Sequence, residues 1–383
     1  MSAVIDGISV EGHFSERFSA TASQFAKNFS SGADLGASFA MSVDGEMVVD
    51  IWAGHKDEAR RELWQEDTIV NVWSSTKTVS FLCALVLADR GLLDFDAPVA
   101  RYWPEFAENG KNDVLVWHIM SHAAGLSGMS EAVTATDFCD WEKMTRLLAA
   151  QASWWPPGTA SGYHAMTQGY LIGEVVRRIT GKTMGQFLQE EIAGPLQADF
   201  FIGVPESEFP RIGNLQVPPG TNDMTTDDAD SIAARTFANP KPRAEDAWTD
   251  AWRRAEMPAV NGHGNARSLV RLQTALACGG CAFGVELMRE ETTRLIMQER
   301  ISGDDLVLGM PVTFGLGFAL NRGPVTMSPN PNTCFWGGWG GSMVLIDQDA
   351  RVVMSYVMNQ MYPSLLGDLR FFQLGAQAFQ DLG

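Results

Sequence analysis

The chain is short of basic residues and of cysteine, and both shortages are informative. Lysine and arginine together number 28 against 46 aspartates and glutamates, a formal net charge of −18. A surface of that sign repels phosphate backbones and anionic lipid, so neither nucleic acid nor a membrane surface is an expected partner. The five cysteines (Cys83, Cys139, Cys278, Cys281, Cys334) are odd in number and scattered, which argues against a disulfide framework. Cys278 and Cys281 have redox-motif spacing, but they follow a helical run at 268–277 instead of opening a helix after a strand, so they read as a helix-end turn. No apolar run approaches 18 residues, and the first seven residues lack a basic and an apolar region. These absences predict a cytoplasmic protein.

Several catalytic signatures are missing too. There is no Gly-x-Ser-x-Gly elbow, no Gly-x-x-x-x-Gly-Lys loop and no Gly-x-Gly-x-x-Gly loop, so nothing supports an α/β-hydrolase serine or a nucleotide cofactor. His118 and His122 stand four apart, but Ile119 occupies the place of a zincin glutamate, and no metal or other cofactor is expected.

What is present is a strong core. With 383 residues, 45% hydrophobic and 19% charged, two globular units are expected, one inserted in the other. Apolar residues at helical spacing from Ser15 to Phe29 predict a helix on a sheet. The runs 37–43 and 46–52 flank Asp44-Gly45 and predict a hairpin. Helical segments follow near 114–122, 140–150, 165–180 and 183–192, then an irregular excursion at 203–245. Helices near 266–278 and 285–299 lead to the stretch 314–320, and strands at 343–346 and 352–358 and a helix at about 364–380 complete the chain. The expected class is α+β: an antiparallel sheet flanked by helices, built from both ends of the sequence (1–98 and 260–383), with a mainly helical insertion at 99–259. A cleft between the two units is the default site.

Three stretches carry chemistry. In Asn71-Val72-Trp73-Ser74-Ser75-Thr76-Lys77 a helix start puts Ser74 and Lys77 three apart on one face, while Ser75 points elsewhere. A buried lysine with a depressed pKa can take the serine proton, and the free N–H groups of the first turn suit an oxyanion. The same pattern also arises where the serine is only an N-cap. The second stretch, Trp154-Trp155-Pro156-Pro157-Gly158, leads through a rigid turn to Tyr163, His164 and a helix. Its phenolate would be a competent base if nearby cations lowered its pKa, and its phenol would otherwise be a packed core group. The third, Trp336-Gly337-Gly338-Trp339-Gly340-Gly341-Ser342, offers glycines and N–H groups for close approach of an acyl oxygen, and tryptophans that could wall a pocket; a tight turn has the same composition.

In this order the three stretches, with Gly91-Leu92-Leu93-Asp94, His118-Ile119-Met120-Ser121-His122-Ala123-Ala124-Gly125-Leu126 and Ala266-Arg267-Ser268-Leu269, resemble the serine beta-lactamase and penicillin-binding-protein superfamily. The resemblance is to its class C beta-lactamase-like branch, including the family VIII carboxylesterases. It implies that Ser74 is the acylated nucleophile, Lys77 its partner and Tyr163 the base, with backbone N–H groups of Ser74 and Trp339 as the oxyanion hole. Trp336, Gly337, Gly338, His164 and Trp155 are the expected substrate contacts. Two departures stand out: the second motif is Tyr163-His164-Ala165, and the third replaces the Lys-Thr-Gly of beta-lactamases with Trp336-Gly337-Gly338. Without that lysine the expected substrate is a small neutral ester, with amides, beta-lactams and acyl transfer as alternatives on the same machinery.

Overall fold

The computed structural model describes residues 2–221, 228–323, 326–365 and 367–383. Its frame is a ten-stranded antiparallel sheet. The strands are β1 (Ser2–Ile5), β2 (Ile8–Phe14), β3 (Gly36–Val43), β4 (Glu46–Gly54), β5 (Ile301–Asp304), β6 (Pro311–Phe314), β7 (Ala319–Leu320), β8 (Thr333–Gly337), β9 (Met343–Asp347) and β10 (Val352–Met358). In space they run β1-β2-β4-β3-β10-β9-β8-β7-β6-β5, so the N-terminal and C-terminal strands meet at the centre, where β3 and β10 pair from Val43↔Val352 to Ala37↔Met358. Both central strands are apolar along nearly their whole length and buried on both faces, as strands covered by helices on either side must be.

Helices α1 (Ser19–Ser30), α2 (Thr76–Asp89), α3 (Trp141–Ala150), α4 (Thr167–Thr180), α5 (Ala266–Ala277) and α6 (Leu369–Leu382) are the longer ones. One face of the sheet carries α1 and α6, tied to each other through the Asp381 carboxylate, which accepts from Thr21 N and Oγ1. The other face carries α5, whose first N–H donates to Ser38 Oγ and whose Thr274 hydroxyl bonds Ser42. Against α5 lies α2, buried almost all round because its residues are apolar on every side. No described helix is long and apolar enough to cross a membrane.

The hairpin at Asp44-Gly45 forms with φ of 50° and 86°, the positive pair its tight turn demands. A second Asp-Gly turn, Asp6-Gly7, with φ of 50° and 81°, closes β1 on β2, an edge pair that the sequence reading passed over. Two expectations are corrected. The helix expected at 285–299 is a two-residue strand, Val285–Glu286, paired with Cys281–Ala282, followed by a short helix at Glu290–Arg294 and a 3-10 turn. Positive φ at Gly279, Gly280, Phe283 and Gly284 bends the chain there before a helix can start. The stretch 314–320 holds the end of β6 and the whole of β7 on either side of the bend at 315–318. The last helix begins at Leu369, capped by the Asp368 carboxylate on Arg370 N, and not at 364. The 203–245 excursion contains short helical turns, among them Ile232–Ala238 capped by Ser231; residues 222–227 of it lie outside the described residues.

Candidate active site

The turn before α2 sets the site. Trp73 has φ of 47°, a left-handed conformation that is costly for an aromatic residue, and it is held by packing against Trp252 and Trp339 at 5.3 and 4.9 Å between ring centroids. Thr76 Oγ1 donates to Trp73 O at 2.5 Å and accepts from Gly262 N at 2.8 Å, fastening the turn to the segment before α5. Ser75 is fully buried, its hydroxyl 2.9 Å from that of Ser342. Ser74 is left with its Oγ toward Lys77.

Lys77 Nζ lies 3.1 Å from Ser74 Oγ and donates to the carbonyls of Ala165 (2.6 Å) and Ala259 (3.0 Å). The side chain is fully buried, and burial alone drives its pKa well below the ordinary lysine value. A neutral amine has two N–H donors and one lone pair. In that form the two carbonyls take the donors and leave the lone pair for the serine hydroxyl.

Tyr163 is also buried, its ring centroid 4.8 Å from Lys77 Nζ. The sequence reading asked for cations to lower its pKa. Burial instead raises it, outweighing the Ser74 hydroxyl and the Trp336 indole, which pull the other way. Burial thus favours the protonated phenol. Its backbone N–H donates to Asp305 Oδ1 (2.9 Å), which also accepts from Val307 N and Leu308 N and so fixes the tyrosine loop to the 305–308 turn.

Of the expected substrate contacts, His164 and Trp155 are occupied elsewhere. His164 Nδ1 donates to Gly162 O (2.6 Å) while Nε2 accepts from Leu126 N (3.0 Å), and Trp155 Nε1 donates to Ala160 O (2.9 Å). Both rings stiffen the loop that presents Tyr163. Trp336 stands at the site, 5.1 Å from Tyr163 and 5.4 Å from Phe314, and its Nε1 has no acceptor of good geometry among the described residues. Gly338 is required by the protein's own packing: a Cβ there would sit 2.1 Å from Val72 O. The third stretch is thereby pressed against the serine turn, and Ser342 Oγ completes the contact by donating to Val72 O at 2.7 Å. The amides of Ser74 and Trp339 donate to no acceptor among the described residues.

Behind Trp339, Arg370 is buried between Asp34 and Asp368 and donates to Gly340 O at 3.2 Å. Beside Trp336 lies an apolar cavity of about 310 Å³, bordered by Trp336, Gly337, Gly338 and Ser342 on one side and by Leu308, Met310 and Val312 on the other. It adjoins the serine across the third stretch without including Ser74, Lys77 or Tyr163 in its wall.

A model of the beta-lactamase family matches residues 25–377. The chain belongs to that family. It is 34% identical over 377 residues to a Mycobacterium tuberculosis protein named esterase/beta-lactamase LipL, covering 94% of this chain and 85% of the relative. It is 29% identical over 180 residues to esterase EstB of Burkholderia gladioli, covering 42% and 45%. Among solved structures, a penicillin-binding-protein homologue from Caulobacter crescentus and a family VIII carboxylesterase each superpose with a TM-score of 0.91 at 38% identity, covering 97% of this chain and 99% of theirs.

For a beta-lactamase family chain, the sequence reading missed three parts of the site. The two carbonyls that orient Lys77 come from Ala165 and Ala259, and backbone atoms leave no signature in side-chain identity. Asp305 had no motif around it. His122, whose spacing from His118 suggests only a metal ligand, has its Nδ1 accepting from His164 N at 3.0 Å and its ring meeting Tyr163 edge-on at 4.8 Å.

Proposed function

We propose that the protein is a carboxylesterase that cleaves small neutral esters through an acyl-Ser74 intermediate. The observation that carries this reading is the desolvated Lys77 amine, both of its N–H groups on carbonyls, 3.1 Å from Ser74 Oγ. As Oγ attacks the ester carbon, Lys77 Nζ takes its proton, and the new oxyanion faces the N–H groups of Ser74 and Trp339. Collapse breaks the C–O bond. Tyr163 gives its phenolic proton to the departing alkoxide and is refilled from Lys77. A water then attacks the acyl carbon and gives its proton to the same pair; as the acyl–Oγ bond breaks, that proton passes to Ser74 Oγ and the carboxylic acid leaves. Tyr163 thus serves as the relay of a Lys77–Tyr163 unit, which refines the role of sole base that the resemblance implied.

The substrate class follows from missing charge. Trp336 stands where beta-lactamases carry lysine, and Arg267, the nearest sequence candidate to replace it, is paired with Asp50 at 2.5 Å and Glu66 at 3.1 Å. Losing a charge-assisted contact to a carboxylate forfeits roughly 1.5–3 kcal/mol, about tenfold to a hundredfold. A chromogenic cephalosporin is therefore expected to give a kcat/KM well below that of p-nitrophenyl butyrate. Equal values would sink the ester preference. Labelling with a serine-reactive phosphonate, followed by peptide mass spectrometry, is expected to place the adduct on Ser74; an adduct on Ser75, Ser121 or Ser342 would overturn the mechanism.

We also infer that residues 1–98 with 260–383 form one domain and 99–259 an inserted helical one, the first supplying Ser74 and Lys77 and the second Tyr163. Five cysteines, all free, suit a reducing compartment such as the cytoplasm.

A further inference from the structure

The cavity beside Trp336 exists because the sheet parts there. Strand β8 pairs with β9 along its full length, from Thr333↔Asp347 to Gly337↔Met343. On its other side β7 is only two residues long and pairs with Cys334 and Phe335 alone, leaving Trp336 and Gly337 without a neighbour on that edge. The next strand, β6, touches β7 at the single pair Phe314↔Ala319 and then diverges. The wedge between β8 and β6 is the cavity of about 310 Å³, closed at its far end by Met327, Leu365 and Phe372.

Its wall has no charged side chain among the lining residues. The two hydroxyls in that wall are already bonded: Thr313 Oγ1 to Ser302 Oγ at 2.8 Å, and Ser342 Oγ to Val72 O and Ser75 Oγ. The Trp336 indole N–H lies near the Tyr163 phenol without forming a hydrogen bond of good geometry among the described residues. A chain bearing a charge or a hydroxyl would lose its water there and gain little in return, whereas methylenes lose nothing. Its wall includes Trp336-Gly337-Gly338, the residues that run directly into Trp339, the oxyanion donor of the proposed mechanism.

We propose that this cavity takes an unbranched hydrocarbon arm of the ester, so that the enzyme prefers medium-chain over two-carbon substrates. The proposal rests on the esterase reading and adds to it the length and chemistry of one arm. At roughly 30 Å³ per water-sized group the cavity holds on the order of ten, which sets the limit at about eight to ten carbons. Each methylene taken from water should raise kcat/KM about threefold to fourfold up to that length, and further ones should add nothing.

The test measures kcat/KM for p-nitrophenyl esters from acetate to dodecanoate and for butyrate esters of alcohols of the same lengths. A rise to about eight carbons in one series and a flat response in the other assigns the arm. Two variants then change the cavity in opposite directions. Val312→Trp should cut the octanoate-to-acetate ratio at least tenfold. Phe372→Ala should move the optimum to longer chains, a gain that misfolding cannot mimic. Hydrolysis with no dependence on either chain length, or an unchanged length profile in both variants, overturns the cavity assignment while leaving the esterase reading intact. Absence of hydrolysis with every ester overturns both.

Discussion

Replacing Lys77 with methionine separates catalysis from stability in a way that only a neutral lysine allows. The substitution keeps the length of the side chain and removes the amine that faces Ser74 Oγ at 3.1 Å. Loss of a positioned base lowers kcat by about 10²–10⁴. Stability moves differently. The carbonyls of Ala165 and Ala259 lose their donor, at about 1–3 kcal/mol each. Against this, burial depresses the Lys77 pKa well below its ordinary value, so below the unfolded pKa the buried amine destabilises the fold, and the methionine removes that cost. The two effects oppose one another, and only the second depends on pH, so the variant should gain stability relative to the parent as pH falls from about 10 to about 7. The sign is fixed by proton uptake. Burial depresses the Lys77 pKa, so below the unfolded value the unfolded chain holds one proton more than the fold. The parent therefore loses stability as pH falls from about 10 toward the folded pKa, and the methionine variant lacks that loss. Urea unfolding of both proteins at pH 10 and pH 7, beside p-nitrophenyl butyrate hydrolysis, reads both effects. A variant less stable than the parent by the same margin at both pH values would mean that Lys77 is a charged cation held by its acceptors, and the neutral-base mechanism would fail.

Other outcomes are expected from the same geometry. Tyr163→Phe, Lys77→Met and the double variant should fall to similar low rates, because groups sharing one proton transfer are non-additive; a Tyr163→Phe enzyme with most of its kcat would make the tyrosine structural. Arg370→Met leaves Asp34 and Asp368 buried without their cation and should cost about 3–5 kcal/mol by denaturant unfolding; a loss below 1 kcal/mol would contradict the network. Burial holds His164 and His263 neutral, lowering their pKa to about 3 and about 4. Between about pH 6.5 and those values the unfolded chain binds protons that the fold refuses, so stability should drop by roughly 2 kcal/mol per histidine by pH 5. Thermal unfolding that is unchanged between pH 7 and pH 5 would refute this.

How far the residues alone carried the reading depended on whether the decisive atoms were side chains. The Ser74–Lys77 spacing, the Asp44-Gly45 turn and the all-apolar α2 are local patterns, and the structure contains them as the sequence suggested. The phenol of Tyr163 went the other way because its environment, and so the direction of its pKa, is assembled from His122, Asp305, Phe314 and Trp336, which come from three distant segments. Strands β5 and β6 were invisible because they are short, half exposed and interrupted by Gly303 and Pro311, and with them went the parted sheet beside Trp336. The histidine His164 looked like a ligand contact, since nothing in the sequence tells that both of its nitrogens meet backbone groups.

The pairing of β3 with β10 has a consequence for the protein's synthesis. The Ser342 hydroxyl that braces the serine turn lies 270 residues beyond Val72, and Trp339 is nearly as far from Ser74. At roughly 5–20 residues per second a ribosome exposes Ser74, Lys77 and Tyr163 many seconds before the segment carrying Trp339 and Ser342 emerges. During that interval the long apolar edge of β3 awaits its partner, the situation in which nascent chains attract chaperones. Hydrolytic competence is thus the last property the chain acquires, and an unfinished or C-terminally shortened product is expected to carry the nucleophile without the power to acylate it.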